Sequence, residues 1–303
     1  MTRMRRDHWL REIEKLDPET DYEEISRIVG TYEFPWDIQQ ALSLALFRTY
    51  AVPSIGRLLY GTGAFTGNVQ KRHDDTLLIL FSMAIEGLDS PDGHAAVRRM
   101  NQMHGSYDIS NDDLRYVLSA FVVTPTRWIE LYGWRKGIPA EKLAGVRYYQ
   151  RLGKLMGITG IPQTYEEFEV LFDSYEADNF AFDEKSLAVA DSTLELFETF
   201  YPRPARRVAN TLLRALMDDH LLEAFHYKKP SAPVVLLAHK LMRLRARIVA
   251  LKPPRRVPKG VADFREVQSY PNGFSLDELG TFPAGCPIPH GQSPRGKSSH
   301  VGD

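Results

Sequence analysis

Apolar residues return every three or four positions through most of residues 1–252, the spacing of helices that bury one face. Capping and stop signals divide this pattern into about ten helices. Asp17-Pro18, with Thr20 and Glu23, opens a short helix that Gly30 closes. Trp36 to Tyr60 is helical with a break at Pro53, and Val69 to Glu86 forms a third helix that stops at Gly87. Ser90-Pro91 caps a fourth, which carries Val97, Met100 and His104 on one face and ends at Gly105. Ser110 to Asp113 caps a fifth, expected to be interrupted around Pro125. Pro139 to Met156 follows, then a helix opened by Thr164 and Glu167 that reaches about Asp173. Three more stretches run over Glu184–Phe200, Ala205–Phe225 and Ala232–Leu251.

Alternating runs of strand length are absent, and so is any repeat at solenoid spacing. The expected fold is therefore all-α: one globular domain over 1–252, its helices packed ridges into grooves. Residues 253–303 hold 8 of the 19 prolines and 7 of the 21 glycines, so this extension cannot continue a helical core. It should wrap the surface or be disordered, with Tyr270 to Phe274 aromatic enough to dock onto the body and disorder expected beyond Pro289.

With a single cysteine, Cys286, the chain can form neither an internal disulfide nor a thiolate metal cluster. Its 38 basic against 39 acidic residues argue against a dedicated nucleic-acid binder. The balance is uneven along the chain, because Ala224 to Ala262 holds ten Lys or Arg and no acid. The helix within it sets Lys240, Arg243, Arg245 and Arg247 amid Leu and Ile. Through 234–256 it could touch an anionic membrane surface, or it could be an ordinary amphipathic helix whose arginines snorkel. The charged amino terminus has no signal-peptide core, and Ala41–Tyr60 is broken by Arg48, Pro53 and Arg57. A cytoplasmic protein, with that segment as any peripheral membrane contact, is the expectation.

Phosphate loops, nucleophile elbows and zinc-helix motifs are missing. Glu223-x-x-His226 has the spacing of half a di-iron site, but no second half is visible. One constellation carries chemistry. Arg72 and Thr76 lie four apart on a face continued by Leu80 and Met83, so a cation and a hydroxyl point toward an apolar interior. Such a cation needs an anion, from a protein carboxylate such as Asp75 or from a ligand. His104 lies on the apolar face of the next helix, suited to axial haem ligation or, in the last turn, to capping carbonyls.

From Arg72 to Asp178 the chain resembles the MpaB and rubber-oxygenase (latex-clearing protein) family. The matching features begin with Arg72-x-x-x-Thr76 and Val97-Arg98-Arg99-Met100-Asn101-Gln102-Met103-His104-Gly105. Tyr107, the Asn111 to Val117 segment, Gly153 to Ile158 and Ile161 to Glu167 follow in order. Looser similarity extends from Phe34-Pro35-Trp36 to Pro253-Pro254-Arg255. The resemblance implies a globin-like helical core that holds haem b, with His104 as the axial ligand of its iron and Arg72 and Thr76 in the distal pocket. It implies an oxygenase that uses O2 on an apolar substrate, as characterised members cleave carbon–carbon double bonds of isoprenoid chains. Two departures stand out. Tyr116-Val117 is followed by Leu118 where many members have histidine, and no residue here can be assigned as the acidic base proposed for rubber-cleaving members.

The expected activity is thus oxidation or cleavage of an apolar, isoprenoid or lipid, substrate by a haem b enzyme. Arg72 and Thr76 serve catalysis, and His104 with Arg72 holds the cofactor. Met83, Met100, Met103 and Phe121 are candidates to line an apolar channel, or are plain core. Two other classes remain open on the sequence: a haem protein that binds gas without turnover, and a haem-free helical protein that binds an apolar ligand.

Overall fold

A computed structural model describes residues 4–280, and within them the chain is all α with no strand. Fourteen α-helices follow one another among the described residues. The first five are α1 (His8–Ile13), α2 (Tyr22–Ile28), α3 (Pro35–Thr49), α4 (Pro53–Gly61) and α5 (Ala64–Gly67). Next come α6 (Val69–Glu86), α7 (Pro91–His104), α8 (Asn111–Tyr132), α9 (Pro139–Leu155) and α10 (Tyr165–Asn179). The last are α11 (Glu184–Thr199), α12 (Arg206–Ala215), α13 (Asp219–Ala224) and α14 (Ala232–Ala250).

Several boundaries follow from local caps. Ser90, Ser110 and Thr164 accept hydrogen bonds from the backbone N–H three residues on and start α7, α8 and α10. Gly87 ends α6 with a left-handed φ of 81°, which favours glycine. Two expected boundaries differ. Helix α8 passes through Pro125 without interruption. A proline inside a helix costs about 3 kcal/mol, but α8 is the central helix, with Ala120 to Pro125 all buried. Its neighbours α3, α9 and α10 supply the packing that outweighs this cost. Conversely, the stretch 205–225 is split, because Asp218 caps α13 by accepting from the Leu221 N–H at 2.9 Å and is held by Arg48 of α3.

The main core forms around α8. Tyr116, Leu118 and Ala120–Val123 meet Ala45 of α3, Val146 of α9 and Phe168 and Phe172 of α10. Beneath it Arg48 is clamped between Glu176 and Asp218, and the Tyr116 hydroxyl donates to Glu176 at 2.9 Å. Burying the Arg48–Glu176 pair is tolerable only because each member has a partner.

Residues 253–280 are applied to the body as a strap. The backbone N–H groups of Gln268 and Ser269 donate to the Asp74 carboxylate at 3.0 and 2.9 Å. Tyr270 donates its hydroxyl to Asp75, and Tyr270 and Phe274 pack on the α6–α7 core. Leu279 is fully buried, with its carbonyl taking the Arg99 Nε–H at 2.8 Å. Cys286, His290 and the segment beyond Pro289 lie outside the described residues. Among the described residues no helix is long and apolar enough to cross a membrane.

Candidate functional site

Helices α6 and α7 are joined by only four residues, 87–90, and so run antiparallel. Positions equally distant from that turn lie side by side, which sets His104, at the end of α7, level with the first turns of α6 where Arg72 and Thr76 stand. The two helices meet closely at the turn. A Cβ added to Gly93 would fall 1.8 Å from the Gly87 carbonyl oxygen. Glu23 stabilises the turn by accepting the Leu88 N–H at 3.1 Å.

Between these helices and α3, α8, α9 and α11 lies a cavity of about 1220 Å3. Arg72, Thr76 and His104 all line it, so the three residues singled out in the sequence share one wall system. Met83, Met100, Met103 and Phe121 line it too, amid largely aliphatic and aromatic neighbours. Ligand pockets usually span about 300–1,000 Å3, so this one has room for a flat cofactor together with an apolar chain. Leu118 also lines the wall and presents an alkyl group to it.

His104 is electrostatically unusual. Its Nδ1 is buried without a hydrogen-bond partner, so that nitrogen does not cap the helix carbonyls. Burial, with the nearby Arg72 charge, pushes its pKa down to about 4. The ring is therefore neutral at pH 7 and keeps a nitrogen lone pair for a metal or a proton.

Among the described residues no carboxylate pairs with Arg72. Its guanidinium donates to the Thr76 hydroxyl, which in turn donates to the Arg72 carbonyl at 2.9 Å. Its charge also sits 5.5 Å from the centre of the Phe65 ring. Asp75, the nearest sequence candidate for an ion pair, is instead engaged by Lys71 and Tyr270. An arginine held by a neutral hydroxyl at an apolar cavity is poised to receive an anion from a ligand.

Glu223 and His226 do not form a metal site. His226 stacks flat on Phe182 at 3.9 Å, and no three His, Cys, Asp or Glu side chains converge on a metal among the described residues. A porphyrin supplies four nitrogen donors to its iron, so a haem asks the protein for one axial donor, and a neutral imidazole with an unpartnered nitrogen fits that demand.

The sequence did not reveal the contribution of the strap. Lys259, Phe264 and Gly280 line the cavity, so residues 253–280 close part of it. Gly280, with φ 107°, presses on Met103, next to His104: a Cβ there would lie 2.0 Å from its sulfur. Asp74 and Asp75 also have local partners in His73 and Lys71, but the strap groups that complete their hydrogen bonding lie about 195 residues away, beyond the reach of local sequence pattern.

Comparison with known proteins matches residues 38–251 to the family described as "ER-bound oxygenase mpaB/B'/Rubber oxygenase, catalytic domain". The matched region contains Arg72, Thr76 and His104. Among similar proteins, the ER-bound oxygenase mpaB' of Penicillium brevicompactum is 29% identical over 80% of this chain and 62% of its own length. The ER-bound oxygenase mpaB of Penicillium roqueforti (strain FM164) is 28% identical, covering 67% of this chain and 74% of its own. The mpaB of Penicillium brevicompactum is 32% identical over 59% of this chain and 51% of its own. The chain thus spans between half and three quarters of the length of these relatives.

Proposed function

The chain belongs to the family of ER-bound oxygenases mpaB/B' and rubber oxygenases, and from that premise we propose that it is a haem b-dependent oxygenase acting with O2 on an apolar substrate, an isoprenoid or another lipid. The observation that carries this reading is the pairing, on one apolar cavity, of a neutral imidazole with an unpartnered nitrogen and a guanidinium that has no anion among the described residues. Haem, when bound, supplies the oxygen chemistry that no side chain here provides.

In this reading His104 would hold the haem iron through a ring nitrogen, and its low pKa would keep protons from competing for the lone pair at neutral pH. Arg72 would meet negative charge, on a propionate or developing during oxidation, at a largely apolar wall that screens it weakly. Thr76 fixes the guanidinium and can orient a water or a polar group of the substrate. The methionines and Phe121 hold the apolar substrate and exclude water. A cytoplasmic protein that touches a membrane peripherally through 234–256 would meet such a substrate where it is dissolved.

The test is the visible absorption spectrum of protein expressed with a haem precursor, beside His104→Ala. A stoichiometric Soret band in wild type, lost or shifted in the variant, supports ligation by His104. Oxygen uptake on adding unsaturated lipids then separates an enzyme from a gas-binding haem protein. A wild type that purifies without haem and fails to take up haemin overturns the proposal and leaves a haem-free binder of apolar ligands.

A further inference from the structure

The fold leaves one long apolar face uncovered. On α14, Leu237, Leu241, Leu244 and Ile248 recur at three- and four-residue spacing along one side of the solvent face, each about half exposed. Leu251 is 87% exposed and Val257 71%, so the apolar surface runs on past the helix end. A core-facing stripe turned outward by fraying would look similar, but α14 is firmly held on its other side. Ala238 and Ala246 are buried, His239 shares a 2.7 Å hydrogen bond with the Tyr132 hydroxyl, and Arg245 donates to Asp37 at 2.6 Å. The leucines are thus the outer face of a docked helix.

Lys240, Arg243 and Arg247 line the other edge of that face, and Lys252, Arg255 and Arg256 surround the turn after it. All six are exposed and have no ion-pair partner among the described residues. No acid occurs between Ala224 and Ala262 to offset them. We propose that residues 236–257 form a docking surface for an anionic phospholipid bilayer, with the leucine stripe in the acyl boundary and the cations among the headgroups. A second copy of the chain fits poorly, because a symmetric contact through this face would set unpaired cations against one another. Docked this way, the bilayer lies beside the start of α3, where Asp37 holds Arg245 and the adjacent Ile38 and Gln39 line the cavity. The surface rests on the proposed membrane contact and not on haem, so vesicle binding and the Soret band can fail separately.

The experiment is co-sedimentation of the full chain with phosphatidylcholine vesicles and with vesicles containing phosphatidylserine, at low and high salt. Wild type should bind the anionic vesicles, and more weakly at high salt. Each Lys or Arg near such a surface adds about fivefold, so Lys240→Gln/Arg243→Gln/Arg247→Gln should weaken binding on the order of a hundredfold. Leu241→Ser/Leu244→Ser should weaken it about tenfold or more. Both variants should keep the circular dichroism and thermal midpoint of wild type, since the changed side chains are exposed. Absence of binding, equal binding to neutral vesicles, or variants that bind as wild type would overturn the proposal. So would a concentration-dependent dimer abolished by the leucine variant, which would reassign the face to self-association.

Discussion

Haem-free protein offers a direct test of the environment assigned to His104. Its pKa is about 4 in the folded protein against 6.5 for a free imidazole. Because the folded pKa is the lower one, the unfolded chain takes up the proton first as pH falls. Stability contributed by keeping this ring neutral is intact above pH 6.5, declines between 6.5 and about 4, and is gone below. A gap of about 2.5 units at 1.36 kcal/mol each corresponds to about 3 kcal/mol. In His104→Leu, which fills similar volume and cannot titrate, that component is absent while every other ionisable group remains. Urea unfolding of both proteins at intervals from pH 7 to pH 4 should therefore show wild type losing about 3 kcal/mol relative to the variant. In thermal scans this is about 6 °C, at about 2 °C per kcal/mol for a chain of this size. Parallel curves for the two proteins, or a greater acid loss in the variant, would refute the claim that His104 is held neutral beside a cation.

Arg72→Met removes a guanidinium that has no carboxylate partner among the described residues, so the haem-free protein should unfold at the same or a higher temperature. Oxygen uptake should nonetheless fall by about 10²–10³-fold, as read by an oxygen electrode. Asp74→Ala leaves the Gln268 and Ser269 N–H groups without their acceptor. It should cost about 1–3 kcal/mol and speed hydrogen exchange over 266–280 before the helical body opens. Gly93→Ala drives a methyl into the Gly87 carbonyl; denaturant unfolding should show a loss of about 1–3 kcal/mol, and the displaced α7 should weaken any haem retention.

Helices whose limits are set by nearby residues were readable in advance. The spans of α6 and α7 follow from Gly87, Ser90 and Pro91, and α10 starts where Thr164 predicts, since a cap binds a backbone group three residues away. The passage of α8 through Pro125 was not readable, because it depends on packing from three other helices. The split at Asp218 was hidden for a similar reason: the carboxylate is drawn to Arg48, 170 residues earlier in the chain.

By itself the sequence determined the all-α class, the periodicity of each helix and the residue types able to do chemistry: an imidazole, a guanidinium and a hydroxyl on apolar faces. These are local properties, carried by spacing and by the side chains themselves. Only the tertiary structure decided that His104, Arg72 and Thr76 face one cavity, that Asp75 is taken by Lys71 and Tyr270, and that the strap supplies part of the wall. A lone histidine or arginine in a sequence has many partners open to it. Packing removes them, and what remains unpaired after packing is what marks the site.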